Sequence, residues 1–172
     1  PEVLSRFALH YQTGEPIPKA LVDKILGAEN FNEGFATVEY LAGALYDMKI
    51  HLAGKVGETI DPGEFEKATM AEIGCPKEIV MRHRPTQFGH SFAGDGYSAG
   101  YYVYIWADAM TADVYEGFME KGGLFDKEAC RLLEASIMSV GNSISPEEAF
   151  RRFRGRDVDT DALMRDRGFS VA

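Results

Sequence analysis

Apolar residues recur at intervals of three and four along most of the chain, and runs of strict alternation are short. The first spacing lays an apolar stripe along a helix, whereas alternation would line one face of a strand. The pattern therefore predicts an all-α, multi-helix fold punctuated by Gly and Pro. Val3, Leu4, Phe7 and Ala8 belong to a first predicted helix over about residues 2–12, stopping near Gly14. A second starts around Pro18 with Leu21, Val22, Ile25 and Leu26 on one side, and residues 31–53 form the longest helical candidate of the first half. Asp61, Pro62 and Glu64 read as an N-cap, a first-turn proline and the third-position acid of a capping box. They open a helix to about Ile73, which Gly74 closes. Three more helices are predicted: one from Gly100 to about Lys121 before Gly122 and Gly123, one over about 126–140, and a shorter one from Ser145 and Pro146. Glu147 and Glu148 suit the positive end of that last helix.

Between Cys75 and Gly100 the helical period breaks, with Pro76, Pro85 and glycines at 89, 94, 96 and 100. We assign residues 75–100 to a long glycine-rich loop inside a single helical domain over 1–172, and long loops within compact domains are often functional. The basic run Arg151, Arg152, Arg154 and Arg156, interleaved with Phe150 and Phe153, reads as a solvated face with two core aromatics. With 172 residues, 45% of them hydrophobic, the chain has the composition of a folded domain. Its net charge of −9 has the wrong sign for neutralising phosphates, which argues against nucleic acid and anionic membranes as partners. No stretch approaches the roughly 18 uninterrupted apolar residues of a membrane span, so a cytoplasmic location is expected. Cys75 and Cys130 stand far apart, without a CxxC pair for metal or redox chemistry, and both read as buried small residues. The chain starts at Pro1 with helical spacing already under way, which suggests a piece of something longer.

The least ordinary segment runs from Phe88 to Trp106, with His90 and four tyrosines set among glycines. If a helix begins near Tyr97, then Tyr97, Tyr101 and Tyr104 fall at i, i+4 and i+7 and share one face. A row of phenols beside a glycine loop carrying His90 has the donors needed to stabilise a developing oxyanion. The competing reading is an aromatic stripe that fills the core. Gly94, Gly96 and Gly100 also invite a phosphate-cradle reading, but no buried strand precedes them and no GKS or GKT follows.

The run from His90 through Ser, Phe, Ala, Gly, Asp, Gly, Tyr97, Ser, Ala, Gly, Tyr101, Tyr102, Val, Tyr104 and Ile to Trp106 resembles the C-terminal signature of the thimet oligopeptidase, oligopeptidase A and peptidyl-dipeptidase Dcp family. The resemblance continues through Ala107–Asp113, Gly141–Ser143 and Phe153–Asp157, so it spans at least residues 80–168, and more loosely Pro1–Ala53. It implies a mostly helical zinc peptidase with a deep channel that admits only short peptides. In that family His90, Tyr97 and Tyr104 match the substrate-contacting histidine and two tyrosines, one of which polarises the scissile carbonyl. Tyr101, Gly94 and Gly96 join them as substrate-binding candidates. Asp95 departs from the family pattern by lengthening the loop between His90 and Tyr97 by one residue.

The same resemblance implies zinc held by an HExxH helix and a later Glu, with the HExxH Glu as general base. Here His10, His51, His83 and His90 are the only histidines; none precedes Glu and no two are four apart. The expected reading is a fragment that binds no metal and is inactive alone, with zinc and base supplied by a missing N-terminal catalytic part. The alternative is a non-catalytic helical peptide-binding module, and a third reading is a plain structural domain. Arg82 and Arg84 are candidates on charge for anchoring a substrate's terminal carboxylate.

Overall fold

A computed structural model describes residues 2–171, in which the secondary structure is helical apart from one isolated antiparallel bridge between Leu9 and Pro16. The fold is all-α. Residues 1–33 and 34–172 form two compact units. The first holds α1 (Glu2–Phe7) and α2 (Lys19–Gly27). α1 is shorter than its apolar spacing predicts because a polar side chain takes over the backbone beyond it. His10 Nδ1 accepts the N–H groups of Gln12 and Thr13 at 3.4 and 3.3 Å, and the His10 carbonyl accepts from Gly14 N at 2.8 Å. Such side-chain capture offers the backbone an alternative to continuing a helix.

The second unit begins with α3 (Glu33–Ala53) and α4 (Pro62–Glu72). The predicted N-cap is present, with Asp61 Oδ1 accepting from Glu64 N at 2.8 Å and Pro62 opening the first turn, but the Glu64 carboxylate accepts from Lys67 Nζ at 2.6 Å, so the reciprocal half of the capping box is not formed. Ala42, Tyr46 and Met81 form the buried centre between these helices, with Ile50, Phe65, Met70 and Cys75 packed around it. Tyr46 lies under this layer, and burial, with the Glu66 carboxylate adding to it, pushes its phenol up to about 12. The segment predicted as loop contains the short α5 (Gly89–Phe92) and a 3₁₀ turn over Asp95–Tyr97. Among the described residues no helix is long and apolar enough to cross a membrane. Cys75 is half-buried, whereas Cys130 is exposed, against the expectation that both are buried.

The remaining helices are α6 (Val103–Glu120), α7 (Lys127–Leu133), α8 (Pro146–Arg154) and α9 (Thr160–Asp166). The helix predicted over 126–140 is α7 followed by a π turn over Glu134–Met138, where Ser139 N reaches the Glu134 carbonyl at 2.8 Å. The wider turn leaves Leu133 and Ile137 both against the core of Phe118, Ala129 and Phe153. α6 packs on α9 through small residues, Ala109 and Ala112 against Ala162 and Leu163.

The basic run is only partly a solvated face. Phe150 and Phe153 are buried as predicted, but the Arg154 side chain is 4% exposed and lies inside. It reaches Asp113, a fully buried carboxylate on α6. Asp113 accepts from Arg154 Nε at 2.8 Å, from Arg156 Nη1 and Nη2 at 2.6 and 2.8 Å, and from Asp159 N at 2.7 Å. One carboxylate thus ties α6 to α8 and to the entry of α9. Burial pushes its pKa up, but the hydrogen bonds from Arg156 and Asp159 N and the charges of both arginines outweigh this and hold it below the ordinary value of 3.8. Arg154 also spans to Glu120 with two bonds at 2.7 and 2.9 Å.

Candidate functional site

The site is built on one face of α3. Tyr40, Gly43 and Asp47 follow at i, i+3 and i+7, a spacing that aligns them along a helix. The Tyr40 hydroxyl donates to the Tyr101 carbonyl and accepts from Ile105 N at 3.3 Å. At Gly43 an added Cβ would lie 3.2 Å from Tyr101 Cε1, so the absence of a side chain lets the tyrosine ring settle on the helix. The Asp47 side chain is 2% exposed, and its two oxygens accept the N–H groups of Ala99 at 3.2 Å and Tyr101 at 3.0 Å. His51, one turn further along α3, puts Nδ1 2.9 Å from Asp47 Oδ1 and stacks on Phe92 of α5 with centroids 5.3 Å apart. These contacts hold a tight turn. Ala99 adopts φ +54, a left-handed conformation uncommon for a residue with a side chain. At Gly100 a Cβ would come 3.1 Å from the Tyr97 carbonyl oxygen.

On this turn the chain assembles its aromatic groups. The His90 ring stacks on Tyr97 with centroids 4.5 Å apart at 18°, and His90 Nε2 lies 3.2 Å from the Tyr104 hydroxyl. Phe88 lies against His83 at 4.5 Å, His90 at 5.7 Å and Tyr101 at 4.9 Å, so the group rests on an aromatic floor. Tyr97 and Tyr104 are exposed, at 62% and 47%, whereas Tyr101 is 8% exposed. Burial, the largest influence on Tyr101, raises its phenol above the ordinary value of 10.0.

The expected single helical face is corrected here. Tyr97 closes a 3₁₀ turn and α6 begins only at Val103, so Tyr97, Tyr101 and Tyr104 are not successive turns of one helix. The reason is the left-handed Ala99, which reverses the backbone between them. Tyr97 and Tyr104 instead meet across His90, and Tyr101 points inward between Tyr40, Phe88 and Gly43. Asp95 opens the 3₁₀ turn, and His90 reaches Tyr97 across it. Gly94 precedes that turn and Gly96 is its middle residue, each with open space where a Cβ would stand.

Arg82 and Arg84 have acidic neighbours already. Arg84 Nε lies 3.1 Å from Glu66 Oε2, and Arg82 Nε lies 3.6 Å from Glu39 Oε2. Sequence reasoning missed Tyr40, Asp47, His51, His83 and Phe88. The His51 spacing from Asp47 was the one available signal, since residues four apart on a helix meet.

Among the described residues no group of three or more His, Cys, Asp or Glu side chains is arranged to hold a metal. The histidines are engaged otherwise: His10 by backbone N–H groups, His51 by Asp47, His83 by Phe88, and His90 by Tyr97 and Tyr104. These side chains, as arranged, do not fit a zinc centre.

The profile of peptidase family M3 matches residues 1–169. Oligopeptidase A of Salmonella typhimurium is 38% identical over 174 residues, covering 98% of this chain and 24% of that protein. Dipeptidyl carboxypeptidase of Escherichia coli is 37% identical over 172 residues, or 99% of this chain and 25% of that protein. Saccharolysin of Saccharomyces cerevisiae is 26% identical over 165 residues, or 96% and 23%. The chain spans about a quarter of the length of these relatives, in their C-terminal region.

Proposed function

The chain belongs to peptidase family M3, and on that premise we propose that it is the substrate-binding part of a zinc-dependent oligopeptidase or peptidyl-dipeptidase acting on short peptides. Residues outside this chain hold the zinc and the general base. The zinc, when bound there, supplies Lewis-acid activation. The chain's own part is to bind the peptide beside Tyr97 and Tyr104 and to donate hydrogen bonds to the oxygen on which charge develops.

The observation that carries this reading is the exposed pair of phenols joined by His90, 3.2 Å from Tyr104 and stacked on Tyr97. In the productive arrangement His90 carries its proton on Nε2 and donates to the Tyr104 oxygen. The phenol proton is then free for the substrate oxygen, and the donated bond strengthens it as a donor. Tyr97 supplies a second hydroxyl from the 3₁₀ turn, with Gly94 and Gly96 leaving room for the peptide. A side chain that bonds the oxyanion more strongly than the ground-state carbonyl raises kcat rather than tightening binding.

The test is Tyr104→Phe in the complete enzyme, which removes one hydroxyl and keeps the ring. The expected result is a fall in kcat of about 10²–10³, with KM, zinc content and melting temperature little changed. Tyr97→Phe is expected to show a similar or smaller fall. A Tyr104→Phe enzyme with intact kcat and a lowered melting temperature would assign the face to the core instead. A complete protein that binds peptides and hydrolyses none would favour the non-catalytic binding module.

A further inference from the structure

Two observations point beyond the phenols to what holds them. The first is that the turn between Tyr97 and Tyr104 has no regular secondary structure of its own over 98–102. It contains the left-handed Ala99, which opposes this geometry in a free chain, whereas Gly100 permits it and donates its N–H to the Tyr97 carbonyl at 3.1 Å. The second is where the turn's N–H groups go. Those of Ala99 and Tyr101, on either side of Gly100, end on the two oxygens of a single carboxylate, Asp47, which is almost entirely buried and lies more than fifty positions earlier in the chain.

We propose that Asp47 is a positioning residue for the reaction: by accepting the Ala99 and Tyr101 N–H groups it fixes the left-handed turn, and with it the separation and direction of the Tyr97 and Tyr104 hydroxyls about His90. His51 acts behind it. Its Nδ1 lies on Asp47 Oδ1 and on the Asp47 carbonyl at 2.8 Å, which sets the carboxylate's rotation and ties it through Phe92 to the helix that carries His90. The inference rests on the proposed role of Tyr104.

The chemistry favours a carboxylate here over a neutral amide. The two N–H groups of this turn end on different oxygens, and Asp offers an acceptor to each, while Asn offers one acceptor oxygen and an NH₂ that only donates. Charge-assisted bonds to backbone N–H are also the stronger kind. Asp47→Asn therefore sets an NH₂ against one of the two N–H groups with nearly unchanged volume. One side of the turn must then swing away, carrying Tyr101 or Ser98 with it and shifting the phenol on that side.

The experiment is a double-mutant cycle in the full-length enzyme between Asp47→Asn and Tyr104→Phe, with kcat, KM, zinc content and thermal melting read for all four proteins. Asp47→Asn is expected to lower kcat roughly ten- to a hundredfold with KM nearly unchanged, the scale of losing a supporting contact to a reacting group. In the Tyr104→Phe background the same change is expected to cost several-fold less than in the parent, because one of the two hydroxyls it positions is already gone. A structural residue would give losses that multiply, and that result overturns the proposal, as does an Asp47→Asn enzyme with wild-type kcat while Tyr104→Phe is impaired. If Tyr104→Phe alone leaves kcat intact, it is the oxyanion role that fails, and the two failures are distinguishable. Where Asp47→Asn does not fold, His51→Gln takes its place in the cycle, since that residue is exposed. Its expected loss is about three- to tenfold, smaller in the Tyr104→Phe background, and multiplying losses again overturn the proposal.

Discussion

Asp47 and Asp113 are both buried carboxylates on long helices, and both are satisfied, yet they hold different things. Asp113 accepts mainly from two guanidinium groups and fastens helices that are already regular. Asp47 accepts from backbone N–H groups and fastens a turn that has no regular structure. The first is a charge balanced by charges, so removing it leaves the interior Arg154 with only the exposed Glu120 against it. The second is matched to peptide dipoles, so neutralising it leaves no unpaired cation and disturbs mainly the direction of nearby groups. Two buried acids in one fold thus divide between stability and geometry.

The sharpest way to break this comparison is Asp113→Ala. Leaving buried Arg154 with the exposed Glu120 as its one remaining acid, and opening the space of the lost carboxylate, is expected to cost about 3 kcal/mol, read from the shift of a denaturant transition. The complete enzyme should keep its kcat per folded molecule, and a fall in kcat comparable to that of Asp47→Asn would erase the distinction. A smaller effect is expected from Gly117→Ala on α6. The new Cβ would stand 2.6 Å from Arg154 Nη1 and 3.1 Å from Phe153 Cε1. Arg154 cannot yield without loosening its bonds to Asp113 and Glu120, so the overpacking should cost about 1–3 kcal/mol. A variant as stable as the parent would show that the ion cluster is slack.

The smallest effect concerns acid. The Asp113 carboxyl is held below 3.8 in the folded state, so folded protein binds fewer protons than unfolded protein between the two values. Its contribution is therefore full above the ordinary value and is lost as pH falls through the depressed one. Acid titration of stability should show this loss in the parent, and it should be missing from Asp113→Ala; identical acid limbs would remove the charge argument.

What was legible in the sequence was what forms within a few residues. The caps at Asp61 and Ser145 could be read because donor and acceptor lie three positions apart. The aromatic run could be read because its residues are contiguous and its family signature is dense. Asp47 could not, because on α3 it is one polar residue in a helix and its partners lie over fifty positions away. The basic run misled for the same reason: Arg154 looks like its exposed neighbours Arg151 and Arg152 until Asp113 is brought beneath it. The shared face conditional on a helix starting near Tyr97 fails because left-handed Ala99 carries no local signal, unlike a glycine in that conformation.

The Tyr40 hydroxyl has one more consequence. The carbonyl of residue 101 and the N–H of residue 105 are the pair that a helical turn joins directly, and here both meet a phenol from another helix. Tyr104 sits within that turn. Its aim is therefore set like a dial from behind, by a side chain on the far side of the backbone from the solvent. Changes at position 40 would act on the backbone that carries Tyr104 while leaving the exposed rings themselves as they are.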